Sequence, residues 1–341
     1  MKAAIYNPYL DTLGGGERYT MAVASALSNN GWEVDIEWQD LAIKTSLEKR
    51  FGINLGKTNI VSDIKRGDGY DLCFWVSDGS IPTLRARKNI LHFQVPFHGV
   101  NGKSLLNKMK LFRINKIVCN SVFTKKVIDA EYGVNSMVVY PPVDTIKIKS
   151  KRKENLILSV GRFSQLKQAK RPDVLIDAFK KVYDAGFTDW RLVLAGGTEI
   201  GADEYVKKLE NKVGRYPIEI IKSPQYTTLI DLYGMAKLFW SAAGYDINDQ
   251  KEPEKVEHFG ISAVEAMAAG AVPLLFNAGG HREIVNDEVN GYLWNTVTNL
   301  VAVSKKLMTQ HLLWTTLTNE AKQTSLKYSY ERFEREILQL L

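Results

Sequence analysis

Short β-rich runs alternate with segments of helical period along most of this chain, and the series runs twice, so the expected architecture is α/β with parallel sheets covered by helices. In the first half, strands are predicted near Lys2–Tyr6, Glu33–Trp38, Asp71–Val76, Asn89–Gln94, Lys116–Asn120 and Met137–Tyr140. Helices near Glu17–Ser28, Lys103–Arg113 and Val122–Glu131 lie between some of them. The pattern breaks at Pro141–Asn155, PPVDTIKIKSKRKEN, where two prolines and a run of cations suit an exposed linker. It restarts with a strand at Leu156–Val160, a helix at Pro172–Ala185 with proline in its first turn, and strands at Arg191–Ala195, Ile218–Ile221, Leu238–Ser241 and Val272–Phe276. Helices near Thr227–Ala236 and Ser262–Ala269 belong to this second series. A chain of 341 residues exceeds what one hydrophobic core usually serves. The reading is therefore two Rossmann-like domains, residues 1–145 and 152–325, facing a central cleft, with a C-terminal amphipathic helix at 326–341 packing back on the first.

Composition narrows the class. Hydrophobic residues make up 45% and charged residues 24%, the balance of a globular chain rather than a disordered one. Lys plus Arg is 45 and Asp plus Glu 38, a net +7 that favours an anionic partner. The two cysteines, Cys73 and Cys119, stand inside apolar runs and predict buried thiols rather than a disulfide framework. No apolar leader and no run of membrane-spanning length is visible, so a cytoplasmic protein, or one peripheral on the inner membrane face, is expected.

Three stretches carry candidate chemistry. Gly14-Gly15-Gly16-Glu17 falls between a predicted strand and helix, where glycines allow close backbone approach and the free N–H groups attract an anion; a tight turn alone would read the same way. It matches neither the GxGxxG dinucleotide pattern nor a Walker loop. Val160-Gly161-Arg162-Phe163 ends a predicted strand and is followed by Lys167 and Lys170, fixed cations placed to hold a diphosphate in the crevice of an open sheet. The most informative stretch is Glu257–Gly270, EHFGISAVEAMAAG, in which seven residues separate Glu257 from Glu265. Ser262 is expected to start a helix there and to form a Ser-x-x-Glu capping box with Glu265; alternatively, Glu265 accepts hydrogen bonds from ribose hydroxyls while the helix N–H groups meet an anion.

This last stretch resembles the Glu-x7-Glu motif of retaining glycosyltransferases, and its continuation VPLLFNAGGHREIV at Val272–Val285 resembles the segment next to that motif in glycosyltransferase family 4. The turn at Gly14–Glu17, the Val-Gly-Arg with its downstream lysine, Asn120-Ser121 and the run Tyr140–Asp144 resemble the same family, in order. The resemblance implies the GT-B fold and a nucleotide-sugar donor held mainly by the second domain. By residue matching, Arg162 and Lys170 would neutralise the diphosphate, Glu265 would bind the ribose, and Ile261 and Ser262 would offer backbone N–H groups to the nucleotide. Glu257 would contact the donor sugar, and Gly15 and Gly16 would lie beneath the diphosphate and acceptor. The histidine that family members often place after a first-domain strand corresponds to His92, Gln94 or His98 depending on register; His98 is carried forward as the acceptor-side candidate. Tyr226 is a candidate for stacking on the base, and the charged segment Phe239–Glu254 reads as a flap or a solvated loop.

The activity expected is retaining transfer of a hexose from a UDP- or GDP-sugar to a hydroxyl of a glycan, glycolipid or lipid carrier, with no cofactor. No metal is expected either: no two aspartates stand two apart, and the five histidines show no ligand spacing. A nucleotide-sugar epimerase of the same fold is the second reading. A nucleic-acid-binding protein is the third, weakened because the cationic run Lys147–Lys153 is short and lacks a stacking platform.

Overall fold

A computed structural model describes residues 1–164, 168–199 and 201–341. Two units divide the chain. Met1–Pro142 joins Tyr330–Leu341 in one, and Val143–Ser329 forms the other.

The first unit holds strands β1 (Lys2–Tyr6), β2 (Glu33–Glu37), β3 (Thr58–Val61), β4 (Leu72–Val76), β5 (Lys88–Phe93), β6 (Lys116–Cys119) and β7 (Met137–Val138). They form one sheet in the order β3-β2-β1-β4-β5-β6-β7, parallel at every pairing. Its helices are α1 (Gly15–Asn29), α2 (Ile43–Phe51), α3 (Leu105–Leu111) and α4 (Val122–Tyr132). The helix α1 begins two residues before the expected Glu17, so Gly15 and Gly16 are its first turn and Gly14 its N-cap. Glu17 fixes that start: its carboxylate accepts from the Gly14 N–H at 2.7 Å and from Thr12 Oγ1 at 2.8 Å.

The second unit repeats the plan with β8 (Glu154–Val160), β9 (Arg191–Gly196), β10 (Ile218–Lys222), β11 (Ala236–Ser241), β12 (Val272–Phe276) and β13 (Tyr292–Trp294). Their order is β10-β9-β8-β11-β12-β13, again all parallel. Around them lie α5 (Pro172–Asp184), α6 (Asp203–Val213), α7 (Tyr226–Met235), α8 (Ile261–Ala268), α9 (His281–Ile284), α10 (Val297–Thr309) and α11 (His311–Ser325). Both sheets are doubly wound, with strand order reversing beside the first strand of each unit.

The core of each unit follows from its helix stripes. In the first, Tyr19, Met21, Val23 and Leu27 of α1 pack on Ile5, Val34 and Ile36, and the last helix, α12 (Tyr330–Gln339), adds Phe333 and Ile337. In the second, Leu175, Phe179 and Val182 of α5 pack with Leu192, Trp240, Leu274 and Trp294. Cys73 and Cys119 are free and buried, and burial pushes both thiols up to about 12.

Candidate active site

In doubly wound sheets the ligand crevice lies beyond the carboxyl ends of the strands where the order reverses. In the second unit that point is between β8 and β11. The chain leaving β8 supplies Gly161, Arg162 and Lys170, and the chain leaving β11 leads to Glu257. These two segments meet: Lys170 Nζ donates to Glu257 Oε2 at 2.6 Å, with side chains 24% and 13% exposed. A Cβ on Gly161 would stand 2.6 Å from Lys170 Cγ, so the glycine is what lets the lysine stem lie across the strand end. Burial pushes the Glu257 carboxyl up, but the Lys170 ammonium and then His281 overcome this and hold it down at about 2. Glu257 is therefore an anion at any physiological pH.

Arg162 is exposed and makes no hydrogen bond or ion pair among the described residues, leaving its guanidinium open to an incoming anion. Lys167 lies outside the described residues. Behind Lys170, Arg171 takes a left-handed conformation (φ 49°) as the N-cap of α5 and grips Asp173 through two nitrogens at 3.0 Å.

Past Glu257, the chain turns into α8 at Gly260, whose φ of 114° only glycine adopts readily. The helix thus begins at Ile261, one residue before the expected Ser262, and no side chain caps it. That corrects the capping-box reading, because the left-handed glycine ends the loop early and puts Ser262 inside the first turn. The amides of Ile261 and Ser262 meet no acceptor among the described residues, as at any uncapped helix start. Glu265, 7% exposed, instead accepts from Tyr233 Oη of α7 at 2.7 Å. Tyr226, the other tyrosine of interest, is half-buried at the start of α7.

A third segment braces the site from β12. The Gly280 N–H donates to the Glu257 carbonyl at 2.8 Å, and His281, its ring pushed down mainly by burial, bonds the Phe276 carbonyl at 2.8 Å. The charged segment after β11 is tied down at two points, one on this brace and one on Arg171. Asp249 accepts from the Gly279 N–H at 3.1 Å and from Arg282 at 2.7 Å, while Tyr245 lies beneath the Arg171 guanidinium at 5.5 Å and its carbonyl accepts from it at 3.3 Å. The segment is a strut beside Lys170 and Glu257. Asp249 was absent from the sequence candidates, and only its place in an acidic insertion before Glu257 hinted at it.

In the first unit the three-way choice after β5 resolves into three different environments. His92 is fully buried, stacked on Tyr19 at 4.2 Å and bonded to the Val118 carbonyl at 3.0 Å; burial pushes its ring down to about 3. Gln94 reaches the glycine turn, where Nε2 donates to the Gly16 carbonyl at 2.9 Å, and a Cβ on Gly16 would collide with it. His98 is exposed and faces Glu131 of α4 at 3.7 Å, a carboxylate that also accepts from the N–H groups of Gly99, Val100 and Gly102. The residue joined to the glycine turn is therefore Gln94, and His98 belongs to a loop organised by Glu131. Gly15 stands with Gly16 at the start of α1. No cluster of three or more metal-ligating side chains occurs among the described residues.

Comparison with known proteins agrees with this architecture. The family described as "Glycosyl transferases group 1" matches residues 143–324. The chain is 26% identical over 62% of its length to a GDP-Man:Man(3)GlcNAc(2)-PP-Dol alpha-1,2-mannosyltransferase of Dictyostelium discoideum, of which it spans 43%. It is 25% identical to an alpha-1,3/1,6-mannosyltransferase of Yarrowia lipolytica over 85% of this chain and 80% of the relative. Among solved structures, Anabaena HepE in complex with UDP and glucose superposes with a TM-score of 0.78 over 99% of this chain and 98% of that one, at 18% identity. Its two Rossmann-like units give the chain the GT-B fold, and the chain belongs to the group 1 glycosyl transferases.

Proposed function

We propose that the chain is a retaining hexosyltransferase of glycosyltransferase family 4 that moves a hexose from a UDP- or GDP-sugar to a hydroxyl of a glycan or lipid-linked acceptor, without a metal. The observation that carries this reading is the pair Lys170–Glu257, joining the chains that leave β8 and β11 where strand order reverses, with the exposed Arg162 on the first and the uncapped start of α8 just past Glu257 on the second. When the bond from the anomeric carbon to the diphosphate breaks, negative charge grows on phosphate oxygen and positive charge on the sugar. Cations and helix N–H groups fixed beforehand stabilise the first, and a carboxylate held ionised stabilises the second. Arg162 and Lys170 take the diphosphate, the amides of Ile261 and Ser262 add to them, and Glu257 faces the donor sugar. Glu265, its carboxylate oriented by the Tyr233 hydroxyl, takes the ribose. The names of the mannosyltransferase relatives favour a lipid-linked acceptor, which would bring a cytoplasmic enzyme to a membrane surface.

The test is calorimetric titration with UDP, GDP, ADP and CMP in chelator, comparing wild type with Arg162→Ala/Lys170→Ala. Tight binding of one diphosphate, weakened about a hundredfold or more in the double variant, supports the reading. Equal binding by the variant, or binding of none, overturns it. Following the anomeric proton of the product by NMR then separates retention from inversion, and conversion of the donor sugar with no acceptor present would point to the epimerase instead.

A further inference from the structure

The helix α3 is turned inside out. None of its seven residues is fully buried, and three of its four apolar side chains face solvent: Leu105 is 76% exposed, Leu106 62% and Met109 62%, as is Phe112, just past its end, at 91%. The spacing i, i+1, i+4, i+7 gathers these four on one stripe. Leu111, on the opposite side, packs into the cluster formed by Leu91, Phe93 and Tyr132, so the orientation is held by the fold. Ordinary helices on a parallel sheet bury such a stripe.

The surrounding charge is equally one-sided. Between Asp78 and Asp129 the sequence contains no acidic residue and ten lysines and arginines. That exceeds the +7 of the whole chain, so everything outside this segment is net negative. Lys108 and Lys110 flank the apolar stripe on the helix, Lys103 precedes it and Lys116 follows it in sequence, and none of the four forms an ion pair among the described residues. An apolar stripe rimmed by unpaired cations fits one kind of partner: a bilayer whose surface is anionic, with the side chains of Leu105, Leu106, Met109 and Phe112 in the acyl boundary and the lysines at the headgroups.

We propose that α3 and the chain through Lys116 form a membrane-docking surface specific for anionic lipid. This deepens the lipid-linked acceptor reading and rests on it only for why the enzyme should be at a membrane. Seven residues are too short to hold a protein on lipid by insertion alone, so both the apolar and the cationic contributions are needed.

The experiment is cosedimentation of the full chain with phosphatidylcholine vesicles, with and without phosphatidylglycerol. Wild type is expected to bind only the anionic vesicles and to be released in about 1 M salt, where the Debye length is ~3 Å. Leu105→Gln/Phe112→Gln and Lys103→Glu/Lys108→Glu should each lower the partition coefficient by about tenfold or more, with unchanged circular dichroism and unchanged UDP or GDP titration. Absence of wild-type binding to either vesicle, or unaltered binding by both variants, overturns the proposal. So does a wild-type dimer in light scattering that Leu105→Gln/Phe112→Gln dissociates, since the stripe would then be a contact between copies. Vesicle binding without any nucleotide binding supports the docking surface while sinking the transferase substrates proposed above.

Discussion

At Glu257 the environment settles the charge before any substrate arrives. Glu257→Gln keeps the shape and removes the anion, leaving Lys170 without its partner, and should lower turnover by about 10²–10³ while nucleotide binding changes far less; measuring kcat and donor affinity separately checks this. A second residue-scale expectation concerns His92. Because burial holds its folded ring down at about 3 while the unfolded ring protonates near 6.5, its contribution to stability is complete above pH 6.5 and erodes as pH falls toward 3. The erosion amounts to about 1.4 kcal/mol per pH unit for one such group. His281, also lowered, adds to the slope, and Glu257 adds more only below about 4.5, being lost as pH falls through about 2. Urea unfolding of His92→Phe from pH 6.5 to 5 should therefore show a slope smaller by about one proton than wild type. The spacing of Glu257 and Glu265 and the lysine after Val160–Arg162 were legible because short-range pattern fixes them. Their pairings were not, since Lys170 meets Glu257, and Tyr233 meets Glu265, only once the chain is folded.

Among the elements, those with a clear period and a chemical boundary were read close to their observed limits. Pro172 opens α5 and Ser121 caps α4, its hydroxyl accepting from the Thr124 N–H at 3.0 Å. Most of the elements missed lack such marks, although α10 is capped by Thr296. The helix α2 has Ala42 before it with no cap, α6 is mostly charged and buries only Val206 and Leu209, and α11 is rich in threonine, whose β-branch disguises a helix. The strands β3 and β13, four and three residues long, are edges of their sheets. The ends of β8 and β9 supply an element-scale test. A Cβ on Gly196 would fall 1.8 Å from the Gly161 carbonyl, whereas one on Gly197 would meet nothing within 4 Å. Gly196→Ala should cost about 1–3 kcal/mol or more and displace the Arg162 loop, weakening nucleotide binding, while Gly197→Ala should do neither; thermal melting with and without nucleotide reads both. The strut after β11 makes a companion case: Asp249→Ala removes the acceptor of Gly279 and Arg282 and should raise donor KM several-fold with little change in melting.

The whole molecule repeats one winding plan twice, and the doubled alternation of strand and helix made the repeat itself readable, though not the edge strand β3 of one sheet or β13 of the other. The first unit is discontinuous in sequence. Its last helix, α12, anchors through Arg332 Nη2, which donates to the Tyr140 carbonyl at 2.9 Å, and through Phe333, packed edge-on against Tyr19 at 5.0 Å. Phe333→Ala should cost about 3–5 kcal/mol, and the loss should appear in the unfolding of the first unit, followed by hydrogen exchange of α1 and β1, rather than in the second. Residues 143–329 stand between the two parts of the first unit in sequence. On a ribosome the order of completion is therefore inverted: the amino-terminal sheet emerges first yet must wait, with the face beneath Phe333 uncovered, until the entire second unit has been made and α12 comes out after it.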